Sequence, residues 1–453
     1  MRRSIYSKRV LLANGLAEAT IHIENGKISS LENGYVEKEG YPMENCGNDV
    51  VMPGLIDSHV HINEPGRTEW EGFLTATKAA AAGGITTLVD MPLNSSPVSV
   101  SSEKFQEKIN AAKGKMAVHC GFWGGLIPNN IESLEGLINS GVLGIKAFLT
   151  HSGIDEFPNV CEQDLREALP ILKKHNSLLL VHCELDSEHS GQQLLEKNPT
   201  SYKAYLASRP KEWEDKAIEL MIKLCEEFKV RTHVVHLSSA NSIEQIKIAK
   251  EKGLPISVET CPHYLYFNAE DVPDGKTEYK CAPPIREKKN NDQLWDAIKK
   301  RVIEFIVTDH SPAPPEMKEL ISGDFIKAWG GIAGLQFSLP VVWTKAKENN
   351  ITIEKISNLM SSNIAKFLGL DHQKGKLQKG YDADITIWNP EKKILISKSD
   401  ILHRHSVTPY VDEELYGEVI RTYVNGEIAY EKKGFNNAIN GEIILKQQHG
   451  TTD

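Results

Sequence analysis

A chain of 453 residues, 40% hydrophobic and 25% charged, has enough apolar side chains to bury a large core. It exceeds the roughly 250 residues of a single barrel domain, so one large domain with a smaller one appended is expected. The formal charge of −9, without a concentrated Lys/Arg block, gives no general attraction to nucleic acid or anionic membrane, and neither is expected as a partner. No segment reaches about 20 uninterrupted apolar residues, so no targeting or membrane-spanning element is read from the sequence. The seven cysteines (46, 120, 161, 183, 225, 261, 281) lack disulfide-framework spacing and fit a reducing, cytoplasmic compartment.

In chain order, residues 1–50 read as short strands at 9–13, 19–24 and 27–31, the last two joined by the hairpin turn Asn25-Gly26. Apolar, β-rich runs then alternate with longer amphipathic stretches. The candidate strands are 55–59, 86–91, 116–122, 144–149, 177–182, 232–237, 256–259 and 302–308, a pattern that predicts an α/β (β/α)₈ barrel over 51–374. Beyond it, 384–388 and 419–430, the latter containing Asn425-Gly426, are again β-rich. Residues 1–50 and 375–453 are therefore expected to form one small β domain together.

In a barrel of this kind the chemistry sits at the C-terminal ends of the strands. There stands Asp57-Ser58-His59-Val60-His61, and residues i and i+2 of a strand share a face, so His59 and His61 converge on one point. A lone His-x-His has a plain reading as a packed or surface pair. His182, His236 and Asp309 end the fifth, sixth and eighth runs, and four imidazoles with a carboxylate at one end read as a metal site. Lys146 interrupts the apolar run 144–149. It either snorkels out of the barrel mouth or, once deprotonated, reacts with carbon dioxide to give a carbamate, an anionic oxygen ligand able to bridge two metals.

His59-x-His61, Lys146, His182, His236 and Asp309, in that order, resemble the cyclic-amidase branch of the amidohydrolase superfamily: dihydroorotases, hydantoinases or dihydropyrimidinases, allantoinases and non-catalytic scaffold relatives. None of the six ligand positions is lost, which favours an enzyme. The resemblance spans nearly the whole chain and implies a (β/α)₈ barrel with a β-sandwich built from both termini. It also implies two divalent ions, zinc foremost with cobalt or manganese as alternatives, an N6-carboxylated Lys146, and a homotetramer. In the mechanism it implies, hydroxide attacks the ring amide and Asp309 carries the proton to the leaving nitrogen.

The segments 61–67, 70–72, 90–94, 259–264, 280–286 and 309–318 are most similar to allantoinases. Dihydroorotases typically carry an arginine where this chain has Asn63, and a histidine where it has Ala313. Without these, a substrate carboxylate loses charge-assisted contacts worth about 1.5–3 kcal/mol per bond. A neutral ring such as allantoin needs neither, and Asn63, Asn94 and Ser311 would complement its amide groups. Arg67 and Cys281 join them as candidate substrate residues. Arg67 and Asn94 also read as a structural ion pair and a loop-capping amide, and Cys281 as a small buried side chain. Hydantoinases act on neutral rings too, and only motif similarity separates them here. Cys183 is not read as a nucleophile, because it points away from the face that holds His182.

Overall fold

The computed structural model describes residues 1–187, 189–432, 434 and 440–446. The chain opens with β1 (Arg2–Leu12), β2 (Gly15–Glu24), β3 (Lys27–Asn33), β4 (Met43–Asn45) and β5 (Val50–Pro53). A parallel series follows: β6 (Leu55–Val60), β7 (Ile85–Asp90), β8 (His119–Phe122), β9 (Gly124–Gly125), β10 (Ile145–Phe148), β11 (Leu179–His182), β12 (Thr232–Val234), β13 (Ile256–Thr260) and β14 (Phe305–Ile306). Helices such as Phe73–Ala82, Ser102–Ala112, Glu162–Lys174 and Lys211–Phe228 separate these strands, and β15 (Ile385–Leu395), β16 (Glu414–Val424) and β17 (Glu427–Glu431) follow the series.

All eight expected parallel runs are present, but their ladders form two sheets, β6-β7-β8 and β14-β13-β12-β11-β10-β9, with no continuous closed ladder among the described residues. At one junction the run 119–125 changes partner. Its first half pairs with β7, then Leu143 N donates to Phe122 O and Gly124 N to Gly144 O, each at 2.9 Å. At the other, the last run shrinks to Phe305–Ile306 because Thr308 N donates to the buried Asp57 carboxylate of β6 at 3.1 Å instead of to a strand. His61 N then donates to His310 O at 2.8 Å, beside the single Val60–His310 bridge. The run expected from 116 starts at His119. Segment 440–446 lies along it, with Cys120 N donating to Glu442 O (3.0 Å) and Ile444 N to Cys120 O (2.9 Å).

Both chain ends enter one eight-stranded mixed sheet, in the order β17-β16-β15-β5-β1-β2-β3 with β4 also on β1, rather than two separate hydrogen-bonded sheets. Ile5, Ile21 and Ile23 from the beginning pack with Ile385, Ile387 and Tyr423 from the end in one apolar cluster. The two expected hairpin turns are formed, with Asn25-Gly26 at φ 50° and 78° and Asn425-Gly426 at φ 49° and 73°. Positive φ at both central residues matches the twist of the flanking strands and favours Asn-Gly. No described helix is long and apolar enough to cross a membrane.

One buried ion pair fastens the start of the parallel series. Ser101 caps the helix Ser102–Ala112, whose inward face carries Phe105, Lys108, Ile109 and Ala112. Lys108 Nζ donates to Asp90 Oδ2 (2.6 Å) and Met91 O (2.8 Å), while Asp90 Oδ1 accepts from Ile62 N at 2.9 Å. Both side chains are fully buried. Lys108→Met leaves the carboxylate without a counter-charge and is expected to destabilise the protein by about 3–5 kcal/mol. Denaturant titration followed by circular dichroism checks this, and Asp90→Asn combined with Lys108→Met should recover a large part of the loss.

Candidate active site

The pleat of β6 turns His59 inward and the chain continues so that His61 faces the same point, their ring centres 5.7 Å apart. Asp309, three residues past β14, lies opposite, with Oδ1 3.2 Å from His59 Nε2 and 3.4 Å from His61 Nε2. One donor atom from each of these buried residues lies within 4.8 Å of the others. His182 ends β11 and His236 follows β12; their rings meet edge-on at 4.6 Å, and His236 lies 5.4 Å from His59. Asp309 (φ 47°) and His236 (φ 38°) hold left-handed backbone that non-glycine residues adopt only when their surroundings impose it.

Lys146 on β10 is 1% exposed, and its Nζ has no hydrogen-bond partner among the described residues. The amine lies 4.6 Å from the centre of the Phe148 ring, and burial pushes its pKa down to about 8. Burial likewise lowers the four imidazoles below their ordinary range, so each is neutral and keeps a lone pair to offer. Two of these histidines are fixed by a carboxylate on the other ring nitrogen, and a third has an amide beside it. His59 Nδ1 donates to Glu259 at 2.6 Å, Asn94 Nδ2 contacts His61 Nδ1 at 3.2 Å, and His182 Nε2 donates to Glu184 at 2.7 Å.

These residues floor a cavity of about 430 Å³ whose wall includes His59, His61, His182, His236 and Asp309. Of the expected substrate residues, Asn94 and Ser311 line it. Ser311 Oγ also donates to Asp309 Oδ1 at 3.1 Å. Asn63, Arg67 and Cys281 are not part of the lining. Asn63 is fully buried and turns its amide towards Pro312 O (3.4 Å), Arg67 pairs with Glu156 (2.6 Å), and Cys281 is buried while its carbonyl accepts from Tyr205 Oη (2.6 Å).

Neutral imidazoles, one carboxylate and an unpartnered buried amine form a donor set suited to a divalent first-row ion. Of this set, Lys146 Nζ and His236 Nδ1 are buried without a hydrogen-bond partner among the described residues, a cost that a bound ion would offset.

Sequence reasoning did not assign roles to the carboxylates behind the histidines. Glu259 also approaches His233 Nε2 at 3.0 Å, and Glu184 is gripped by Arg209 through contacts of 3.1 and 2.5 Å. The available signal was spacing: Glu184 follows His182 by two residues, and Glu259 sits near the end of a strand flanked by the runs that lead to His236 and Asp309.

The amidohydrolase family model matches residues 50–429. An allantoinase of Arabidopsis thaliana is 42% identical over 443 residues, covering 94% of this chain and 87% of its own. One from Streptomyces avermitilis is 43% identical over 422 residues, covering 93% and 94%. Among solved structures, the L-hydantoinase (dihydropyrimidinase) of Arthrobacter aurescens superposes with a TM-score of 0.92 at 28% identity, over 98% of this chain and 100% of that one. A match across most of the chain, on a parallel series of strands with its histidines at one end, leads to the conclusion that this protein belongs to the amidohydrolase family.

Proposed function

We propose that this amidohydrolase is an allantoinase, opening the hydantoin ring of allantoin to give allantoate. The observation that carries the hydrolytic reading is the convergence of His59, His61 and Asp309 beneath a cavity of substrate size, with the unpartnered amine of Lys146 buried nearby. The choice of ring rests on the allantoinase relatives and on two positions. Asn63 and Ala313 offer no cation to a substrate carboxylate. A hydantoinase is the second reading, favoured by the structural likeness to one.

In this reading the parallel strands form a (β/α)₈ barrel over 51–374, and the two ends, 1–50 and 375–453, form the appended β domain. His59, His61, Lys146 as its N6-carboxylate, His182, His236 and Asp309 would hold two divalent ions, with zinc, cobalt and manganese all suited to the donor set. When bound, the ions supply Lewis acidity towards the ring carbonyl and make water acidic enough to attack at neutral pH. Asp309 takes the proton of the attacking water and returns it to the ring nitrogen as the carbon–nitrogen bond breaks. Ser311 holds that carboxylate by its hydrogen bond, and Ser311 and Asn94 face the substrate's polar edge. Asn63, Arg67 and Cys281 support the wall from behind. The seven free cysteines, five of them buried, support a reducing, cytoplasmic setting, and the family resemblance supports a homotetramer.

The deciding experiment compares allantoin, hydantoin, dihydrouracil and dihydroorotate with the metal-loaded protein. The highest kcat/KM is expected for allantoin, with little or no turnover of dihydroorotate. A preference for hydantoin or dihydrouracil would move the assignment to the second reading, and a preference for dihydroorotate would overturn the interpretation of Asn63 and Ala313. Lys146→Ala is expected to lose most bound metal and activity, both partly restored by short carboxylic acids; elemental analysis and turnover measure this. Asp309→Asn, assayed at matched metal content, should lower turnover by about 10²–10⁴-fold, the contribution typical of a general acid–base group.

A further inference from the structure

We propose that Glu184, clamped by Arg209, is a positioning residue that fixes the tautomer and in-plane direction of His182 within the donor set. The inference rests on the two-ion reading and adds to it which supporting pair holds one half of the site.

Two contacts orient the His182 ring. Its plane is set by stacking on Phe148, with ring centres 4.7 Å apart and planes 14° from parallel. Stacking leaves rotation within that plane open, and the carboxylate of Glu184 removes this freedom by accepting from Nε2 at 2.7 Å. A proton held on Nε2 leaves the lone pair on Nδ1. Of the groups forming the donor cluster, His59 is arranged the other way round. Its Nδ1 is committed to Glu259 at 2.6 Å, so Nε2 is the atom that faces Asp309. His182 and His59 thus commit opposite imidazole nitrogens, each to its own buried glutamate.

Glu184 is itself held from two sides. Arg209 donates through Nε to Oε1 (3.1 Å) and through Nη2 to Oε2 (2.5 Å), a fork that fixes both oxygens and balances the charge of a fully buried carboxylate. The peptide carrying Glu184 is fastened next door, where Leu185 N donates to Trp213 O at 3.0 Å. Arg209 lies 5.6 Å from the centre of the Trp213 ring, and its carbonyl accepts from Arg286 Nη1 at 2.7 Å. Arg209 belongs to the segment leading into helix Lys211–Phe228, not to the strand that carries His182, so the support reaches this histidine from a separate element.

The test is a cobalt(II) titration of metal-free protein in bicarbonate buffer, followed by visible absorption and by elemental analysis, with circular dichroism as the control for folding. Wild type is expected to take up two ions in two resolved steps. Glu184→Gln and Arg209→Met should each weaken one step by about 10–100-fold, the usual effect of removing a group that supports a ligand, and leave the other step in place. Glu259→Gln should weaken the opposite step. If Glu184→Gln fails to fold, Arg209→Met carries the test. Both steps retained at wild-type Kd, or both weakened equally, overturns the positioning role while the two-ion reading stands. A wild-type protein that binds no cobalt overturns both.

Discussion

Asp57 lies in the first parallel strand and Thr308 follows the last, 251 residues later, yet the buried carboxylate of one accepts the backbone N–H of the other. The same carboxylate accepts from His59 N at 3.0 Å. A single side chain therefore sets the height of the first metal-type histidine and of the peptide that leads into Asp309. The left-handed turn at Asp309 begins one residue after that hydrogen bond, which accounts for how an unfavourable conformation persists. If this seam slipped by one residue, His59 and Asp309 would no longer face one another, because strand neighbours point to opposite sides.

The polar floor is costly in isolation. Four neutral imidazoles, a carboxylate and an amine without a partner occupy space that an ordinary barrel fills with branched aliphatic side chains. Glu259, Asn94 and Glu184 restrict how those groups can turn, so the ordering cost falls during folding and not at the moment a ligand arrives. The surrounding structure is correspondingly well anchored. The Lys108–Asp90 pair is buried where the loop after β6 meets β7, close in sequence to Asn94 of the cavity wall.

Legibility in the sequence followed the reach of each signal. His59 and His61 were visible because alternation along a strand is local, and Lys146 because a charged residue inside an apolar run needs an explanation. Both Asn-Gly hairpins were visible for the same reason. The alternating strand and helix pattern was also readable, although the last strand is only Phe305–Ile306 and the third changes partner midway, since both features depend on contacts with distant residues. The role of Asp57 was not readable, and spacing only hinted at Glu184 and Glu259, because a carboxylate near a histidine looks like any other acidic residue until the partner strand is in place. Asn63, Arg67 and Cys281 show the converse. The motifs bring them near the cavity, but loop geometry decides which way each side chain turns, and Arg67 turns to Glu156.

The segment 440–446 lies against β8, exchanging backbone hydrogen bonds with Cys120 across more than 300 positions of sequence. The terminal sheet has the same property, since β5 has β1 on one side and β15 on the other. During synthesis, the early strands leave the ribosome long before these partners exist. Two exposed β edges must wait for the end of the chain, and such edges invite pairing with other chains. The pairings on β8 and β5 can therefore be completed only after the late segments have been made. A nascent chain of this design depends on whatever shields those edges in the interval.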